Sequence, residues 1–230
     1  MTVRINFCDG FGDVEPADRD WIMATLERVR ERAVPRLELE NADLNVVVAP
    51  WAVIPEYGIG GYTWNRSVAQ IALDPWSPRF RDPEHKARLG AVAAHEMHHL
   101  ARYRNPASGW SPQYGARGSL GKALLNEGLA TAFEEEMGFP CPFYALAVER
   151  EPLWKLAARA LADFDKVDFD YQAWFFGNES DAEFPRHGGY SLGYSLVRGW
   201  FMATETIPSE ELGLLSDEVL AAWRTGRLDI

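Results

Sequence analysis

The chain has 230 residues, with 23 Lys and Arg against 34 Asp and Glu, a formal net charge of −11 and a pI near 4.9. Its 47% hydrophobic and 25% charged content is that of an ordinary globular protein and excludes a disordered or fibrous chain. The acidic balance argues against nucleic acid, which is gripped by clustered Lys and Arg, and no apolar run reaches the ~18 residues that suggest a membrane-spanning helix.

Residues 2–7 alternate as a strand does, and 17–36 place Trp21, Ile22, Leu26, Val29 and Val34 near one helical stripe. The β-branched run 44–49 closes on Pro50 as a second strand. The Gly-rich segment 57–64 leads through Asn65, Arg66 and Ser67 into 68–73, which predicts a hairpin whose first strand is irregular and lies at a sheet edge. After the Pro-rich loop 74–83 the pattern is helical: 84–104, 119–137, 151–163, 170–177, 189–204 and 208–224. Gly138 before Pro140 stops one helix, and Ser209 before Glu210 and Glu211 is read as the start of the last. The order β-α-β-β-β followed by helices is an α+β architecture, expected as a single domain over 1–230, sheet-rich to residue 80 and helical from 84.

The N-terminal residues 1–7 lack the apolar stretch of a signal peptide. Two cysteines, Cys8 and Cys141, cannot make a disulfide framework and are expected to be buried free thiols. A soluble cytoplasmic location is the corresponding expectation.

Three of the five histidines fall within five residues, in His95-Glu96-Met97-His98-His99. On a helix, positions four apart differ by only about 40° in azimuth, so His95 and His99 present two imidazoles on one face, one turn apart, as two ligands of a tetrahedral Zn²⁺ need. Glu96 stands beside the first ligand, placed to take a proton from a water activated by the metal rather than to bind the metal. A third protein ligand is then required, and Glu127 is the candidate. It lies among Ala123, Leu124, Leu125, Leu129 and Ala130, where an unpaired carboxylate is costly. Gly128 beside it lacks a side chain and would let another backbone approach closely. The adjacent acids Glu134, Glu135 and Glu136 are expected to form a solvated face.

The sequence resembles the gluzincin branch of zinc metallopeptidases and, more narrowly, a bacterial family described as predicted Zn-dependent proteases. The resemblance rests on the His95–His99 motif, on Asn126-Glu127-Gly128-Leu129-Ala130 and on Gly189-Tyr190-Ser191-Leu192-Gly193-Tyr194, and runs from about residue 45 to about residue 220. It implies a zincin-like fold: a small twisted mixed sheet, an active-site helix and a helical C-terminal part. It also implies one Zn²⁺ per chain and hydrolysis of a peptide or protein substrate. Many gluzincins carry an acid four residues after the glutamate ligand, where it orients a histidine. This chain has Thr131 there, whose hydroxyl is a weaker orienting group.

Zinc peptidases commonly use a Tyr or His to stabilise the oxyanion. Tyr190 is the first choice, with Tyr194 one turn away and His187 as competitors. His98 is expected to be a structural histidine and His85 to face solvent. In zincins a cleft-bordering strand holds the substrate backbone in extended form, which gives 58–64 a second role, with Gly60 and Gly61 allowing close approach. The acidic stretch 163–170 lacks the Gly of a calcium loop and is read as a loop capping the next helix. Two rival readings remain. One is another zinc amidohydrolase acting on a small amide, such as a deformylase-like enzyme with a cysteine ligand. The other is a non-catalytic zincin-fold interaction module, against which the retention of Glu96 speaks.

Overall fold

Four short strands form one mixed sheet: β1 (Val3–Cys8), β2 (Ala42–Val48), β3 (Ile59–Asn65) and β4 (Val68–Leu73), in the order β1-β2-β4-β3. β1, β2 and β4 run parallel, and β3 pairs antiparallel with β4 as the predicted hairpin. β3 and β1 are the two edge strands, and the register of β3 is broken between Thr63 and Asn65. The protein is seen as a computed structural model that describes residues 3–10, 12–108, 118–177, 181, 183–228 and 230; the side chain of His85, expected to face solvent, lies outside the described residues. The architecture is α+β, with this small mixed sheet and seven α-helices among the described residues, consistent with a zincin-like fold.

Contacts divide the chain into two compact units, Met1–Arg104 with Glu136–Pro140, and Asn105–Glu135 with Cys141–Ile230. In the first, α1 (Pro16–Leu37) connects β1 to β2, and a parallel pair needs a long crossover of this kind. Its buried stripe is Ile22, Leu26, Val29, Ala33 and Leu37, while Trp21 is only half-buried, its ring 5.7 Å from that of Phe80. α2 (Pro83–Arg104) packs on α1 and on β3 and β4. The helices cover the sheet face formed by residues such as Leu44, Val46, Ala69 and Ile71.

The opposite face is polar. Arg4 donates two hydrogen bonds of 2.8 Å to Asp43, and Asn6 bridges Asp43 and Asn45. The alternation that puts Arg4 and Asn6 outward also exposes Cys8, so that thiol is free as expected but not buried. Cys141 is free and half-buried. The segment 136–140 is held to both helices: Arg32 donates to the Met137 carbonyl at 2.6 Å and Arg88 to that of Pro140 at 2.7 Å, and Arg36 pairs with Glu136 at 3.7 Å.

The second unit is helical: α3 (Leu120–Glu136, whose last residue falls in the first unit), α4 (Arg150–Asp163), α5 (Tyr171–Phe176), α6 (Gly188–Thr204) and α7 (Ser216–Arg224), with a 3₁₀ turn at Phe143–Leu146. Its core joins Leu120, Leu124, Leu129, Phe164, Phe175 and Leu192. The Asp170 side chain caps α5 by accepting from the Ala173 amide at 3.0 Å, as read for the 163–170 loop. The last helix starts at Ser216 rather than near Ser209. Glu211, assigned to its first turn, instead accepts from the Trp200 indole and the Thr206 hydroxyl, and the Leu215 amide is satisfied by Glu218. Among the described residues no helix is long and apolar enough to cross a membrane.

Candidate metal centre

α2 is buried along its centre: Ala91, Ala93, Ala94, Met97 and Leu100 are all sealed from solvent. The helix backbone is pressed closely at Gly90, where a Cβ would lie 2.6 Å from the Phe139 ring. On this segment His95, Glu96 and His99 are only 7%, 5% and 6% exposed. The His95 and His99 rings stand 4.6 Å apart and perpendicular, on the common face that their spacing predicts. His98 is fully buried, in keeping with a structural histidine.

Glu96 is gripped from the edge strand β3. The Thr63 hydroxyl lies 2.7 Å from Glu96 Oε2, to which it donates, and 3.1 Å from the Glu96 carbonyl oxygen. Two residues earlier, a Cβ on Gly61 would fall 2.6 Å from both Cγ and Oε1 of Glu96. Gly61 thus lies against Glu96, whereas Gly60 is packed under the Ala52 carbonyl. Thr63 was not singled out from the sequence. The signal is its two-residue spacing from Gly61, which puts both on the strand face toward α2.

In the second unit, α3 carries Glu127, half-buried between the buried residues Asn126 and Gly128. The N-terminal amides of α3 at Leu120 and Gly121 donate to the carbonyls of Lys166 and Phe164, and the Lys122 amide donates to the Ser119 hydroxyl at 3.4 Å, a side-chain cap. Gly128 admits another backbone, that of α6: a Cβ there would lie 2.2 Å from the Gly193 carbonyl oxygen. Thr131 is completely buried, and its hydroxyl has no hydrogen-bond partner among the described residues. The acids 134–136 are not a solvated face. Glu134 is buried and accepts from the Tyr144 hydroxyl at 2.9 Å, while Glu135 accepts from Tyr194 at 2.6 Å.

That bond and burial define Tyr194. Burial first, then the bond to Glu135, pushes its phenol well above the ordinary tyrosine range. Tyr190 is half-buried in an aromatic cluster, 5.1 Å from the rings of both Tyr144 and Phe175. His187 is buried at the N-cap of α6 in a left-handed conformation (φ 64°), its ring edge-on to Phe143 at 5.1 Å.

His95, His99 and Glu127 together form a candidate metal-binding group: each offers one ligand atom, and these atoms lie within 4.8 Å of one another. Two imidazoles and one carboxylate are a donor set suited to Zn²⁺, and three protein ligands leave a coordination position open.

A family model described as predicted Zn-dependent protease (DUF2268) matches residues 79–221, more than half of the chain. It begins later than the resemblance traced from residue 45, after the last strand. No curated protein and no solved structure matches the chain.

Proposed function

Because the chain belongs to this family of predicted Zn-dependent proteases, we propose that it is a zinc peptidase in which His95, His99 and Glu127 hold one Zn²⁺ and Glu96 is the general base. The observation that carries the reading is a His/His/Glu ligand group on a chain whose first ligand is followed directly by a buried carboxylate. A structural metal site has no use for a base beside a ligand.

A bound Zn²⁺ supplies Lewis acidity, polarising a carbonyl and lowering the pKa of water. The carboxylate of Glu96 takes the proton from the attacking water and passes it to the leaving amine, which is general base and then general acid catalysis by one group. Tyr190 donates to the developing oxyanion. The engagement of the Tyr194 hydroxyl by Glu135 supports Tyr190 over Tyr194 for that role. An extended peptide is the matching substrate shape, since β3, the edge strand that touches Glu96, can pair with one more strand beyond its bridge from Ile59 to Ile54. The deformylase-like alternative, which needs a cysteine ligand upstream of the motif helix, is disfavoured because Cys8 is exposed on the sheet face that α2 does not cover.

The test is a mixed peptide library read by mass spectrometry, using protein of verified zinc content. Wild type is expected to cleave it, and Glu96→Gln to keep zinc while losing about 10²–10⁴ in rate, the usual span for general acid–base catalysis. A zinc-loaded wild type that cleaves nothing would move the reading to the interaction module.

A further inference from the structure

We propose that Thr63 is a positioning residue for Glu96, holding its carboxylate in one orientation from the edge strand; the proposal rests on the reading of Glu96 as the base. Glutamate has three rotatable side-chain bonds, and a base left to wander among their rotamers spends little time in line with its proton. Two constraints remove that freedom here. Thr63 Oγ1 donates to Oε2 at 2.7 Å, and the bare backbone of Gly61 lies where any larger residue would collide with Cγ and Oε1. Both come from one strand at a spacing of two, so one rigid element sets both limits.

The donor itself is fixed. Thr63 is 6% exposed, its β-branched side chain has restricted χ1, and its single hydroxyl proton goes to Oε2, the nearer of the two Glu96 oxygens within 3.1 Å. The surrounding strand pattern sharpens the assignment. Tyr62 and Trp64, on either side of Thr63, are 57% and 51% exposed on the other face, so Thr63 is the polar side chain that this stretch turns inward. A threonine serving only to fill space at such a position could be a valine, which has the same shape without the hydroxyl. Supporting the reacting group by a neighbour that never touches substrate is how a site keeps its geometry within tenths of an ångström.

The test compares Thr63→Val, which keeps the shape and loses the donor, with Thr63→Ser, which keeps the donor. Zinc content, melting temperature, kcat and KM on a library-derived peptide are measured for each, and Glu96 is located in crystal structures of all three proteins. The expected result is a kcat about 10–100-fold lower in Thr63→Val, the scale of a misplaced catalytic group. KM, zinc and melting temperature should stay near wild type, Glu96 should be spread over more than one position, and Thr63→Ser should restore both kcat and a single position. An unimpaired kcat with Glu96 unmoved in Thr63→Val overturns the proposal. So does a loss that Thr63→Ser does not restore, or a loss of zinc or folding in Thr63→Val, either of which marks a structural role. Glu96→Gln separates the two levels. If it is inactive while Thr63→Val is unimpaired, only the role of Thr63 falls; if it is as active as wild type, the base assignment falls and Thr63 with it.

Discussion

Gly128 of α3 and Gly193 of α6 meet backbone to backbone: a Cβ on the first would lie 2.2 Å from the carbonyl oxygen of the second, and a Cβ on Gly193 would lie 2.3 Å from the Leu124 carbonyl oxygen. The obstructing atoms are main chain and cannot rotate away. Gly128→Ala gains about 1 kcal/mol of helix propensity, but overpacking costs about 1–3 kcal/mol, and rigid backbone puts the cost at the upper end. A net loss of about 2 kcal/mol is expected in denaturant unfolding. Gly10→Ala, where a Cβ would meet nothing within 4 Å, is the neutral control. A Gly128→Ala as stable as wild type would contradict the close crossing.

Wild type is expected to hold one equivalent of zinc in elemental analysis and His95→Ala, His99→Ala and Glu127→Ala each to lose it, because two remaining donors make a poor site. Stripping the metal from wild type with a chelator should lower its stability, by about 2.7 kcal/mol relative to zinc at a hundred times its dissociation constant. Full zinc retention by Glu127→Ala would remove that residue from the ligand set.

Glu134 is buried with the Tyr144 hydroxyl donating to it, and Ser191 in turn donates to the Tyr144 carbonyl, tying α6 to the 3₁₀ turn. Tyr144→Phe removes one hydrogen bond to a buried carboxylate and should cost about 1.5–3 kcal/mol. Thermal or urea unfolding checks it, and a change below 0.5 kcal/mol, roughly the spread for innocuous surface substitutions, would mean that the bond is energetically idle.

The raised pKa of Tyr194, caused mainly by burial, ties stability to alkaline pH. Folding favours the neutral phenol, so this contribution is fully present below the ordinary value of 10.0 and is lost as the pH climbs toward the raised folded value. Ultraviolet titration of native wild type and Tyr194→Phe should show the same number of ionising phenols, because Tyr194 stays silent. After unfolding, wild type should show one more. A native wild-type curve with an extra early ionisation would refute the assignment.

The helix bearing His95 and His99 was readable because its evidence is local: residue spacing fixes azimuth, and azimuth puts two imidazoles on one face. The hairpin of β3 and β4 was legible for the same reason, from alternation around Asn65-Arg66-Ser67. The readings that the structure corrects turn partly on partners elsewhere in the chain and partly on local context. Glu134, Glu135 and Glu136 look like one acidic patch, yet 100° per residue sends them in different directions, and Tyr144 and Tyr194 supply the partners that make inward carboxylates tolerable. Ser209 and Glu210 imitate a helix start, but Gly213 follows within the would-be first turns and Glu218 satisfies the amide where the helix truly begins. Cys8 was judged by residue type, whereas its place in the β1 alternation, in phase with Arg4 and Asn6, decides its exposure. Thr63 acquires meaning only when its strand lies along α2, 33 residues further on in sequence.

The segment 136–140, held by Arg32, Arg36 and Arg88, imposes an order on birth of the molecule. Chains leave the ribosome from the N-terminus at about 5–20 residues per second and tend to fold in that direction. When residue 104 emerges, three arginines of the first unit still lack the acceptors that segment 136–140 supplies. Residues 105–135 must come out before those acceptors arrive, so the nascent sheet and its two helices spend that interval incomplete. By the time the first unit can close, His95, His99 and Glu127, the proposed ligands, have all been synthesised, so on that reading metal could bind before translation ends.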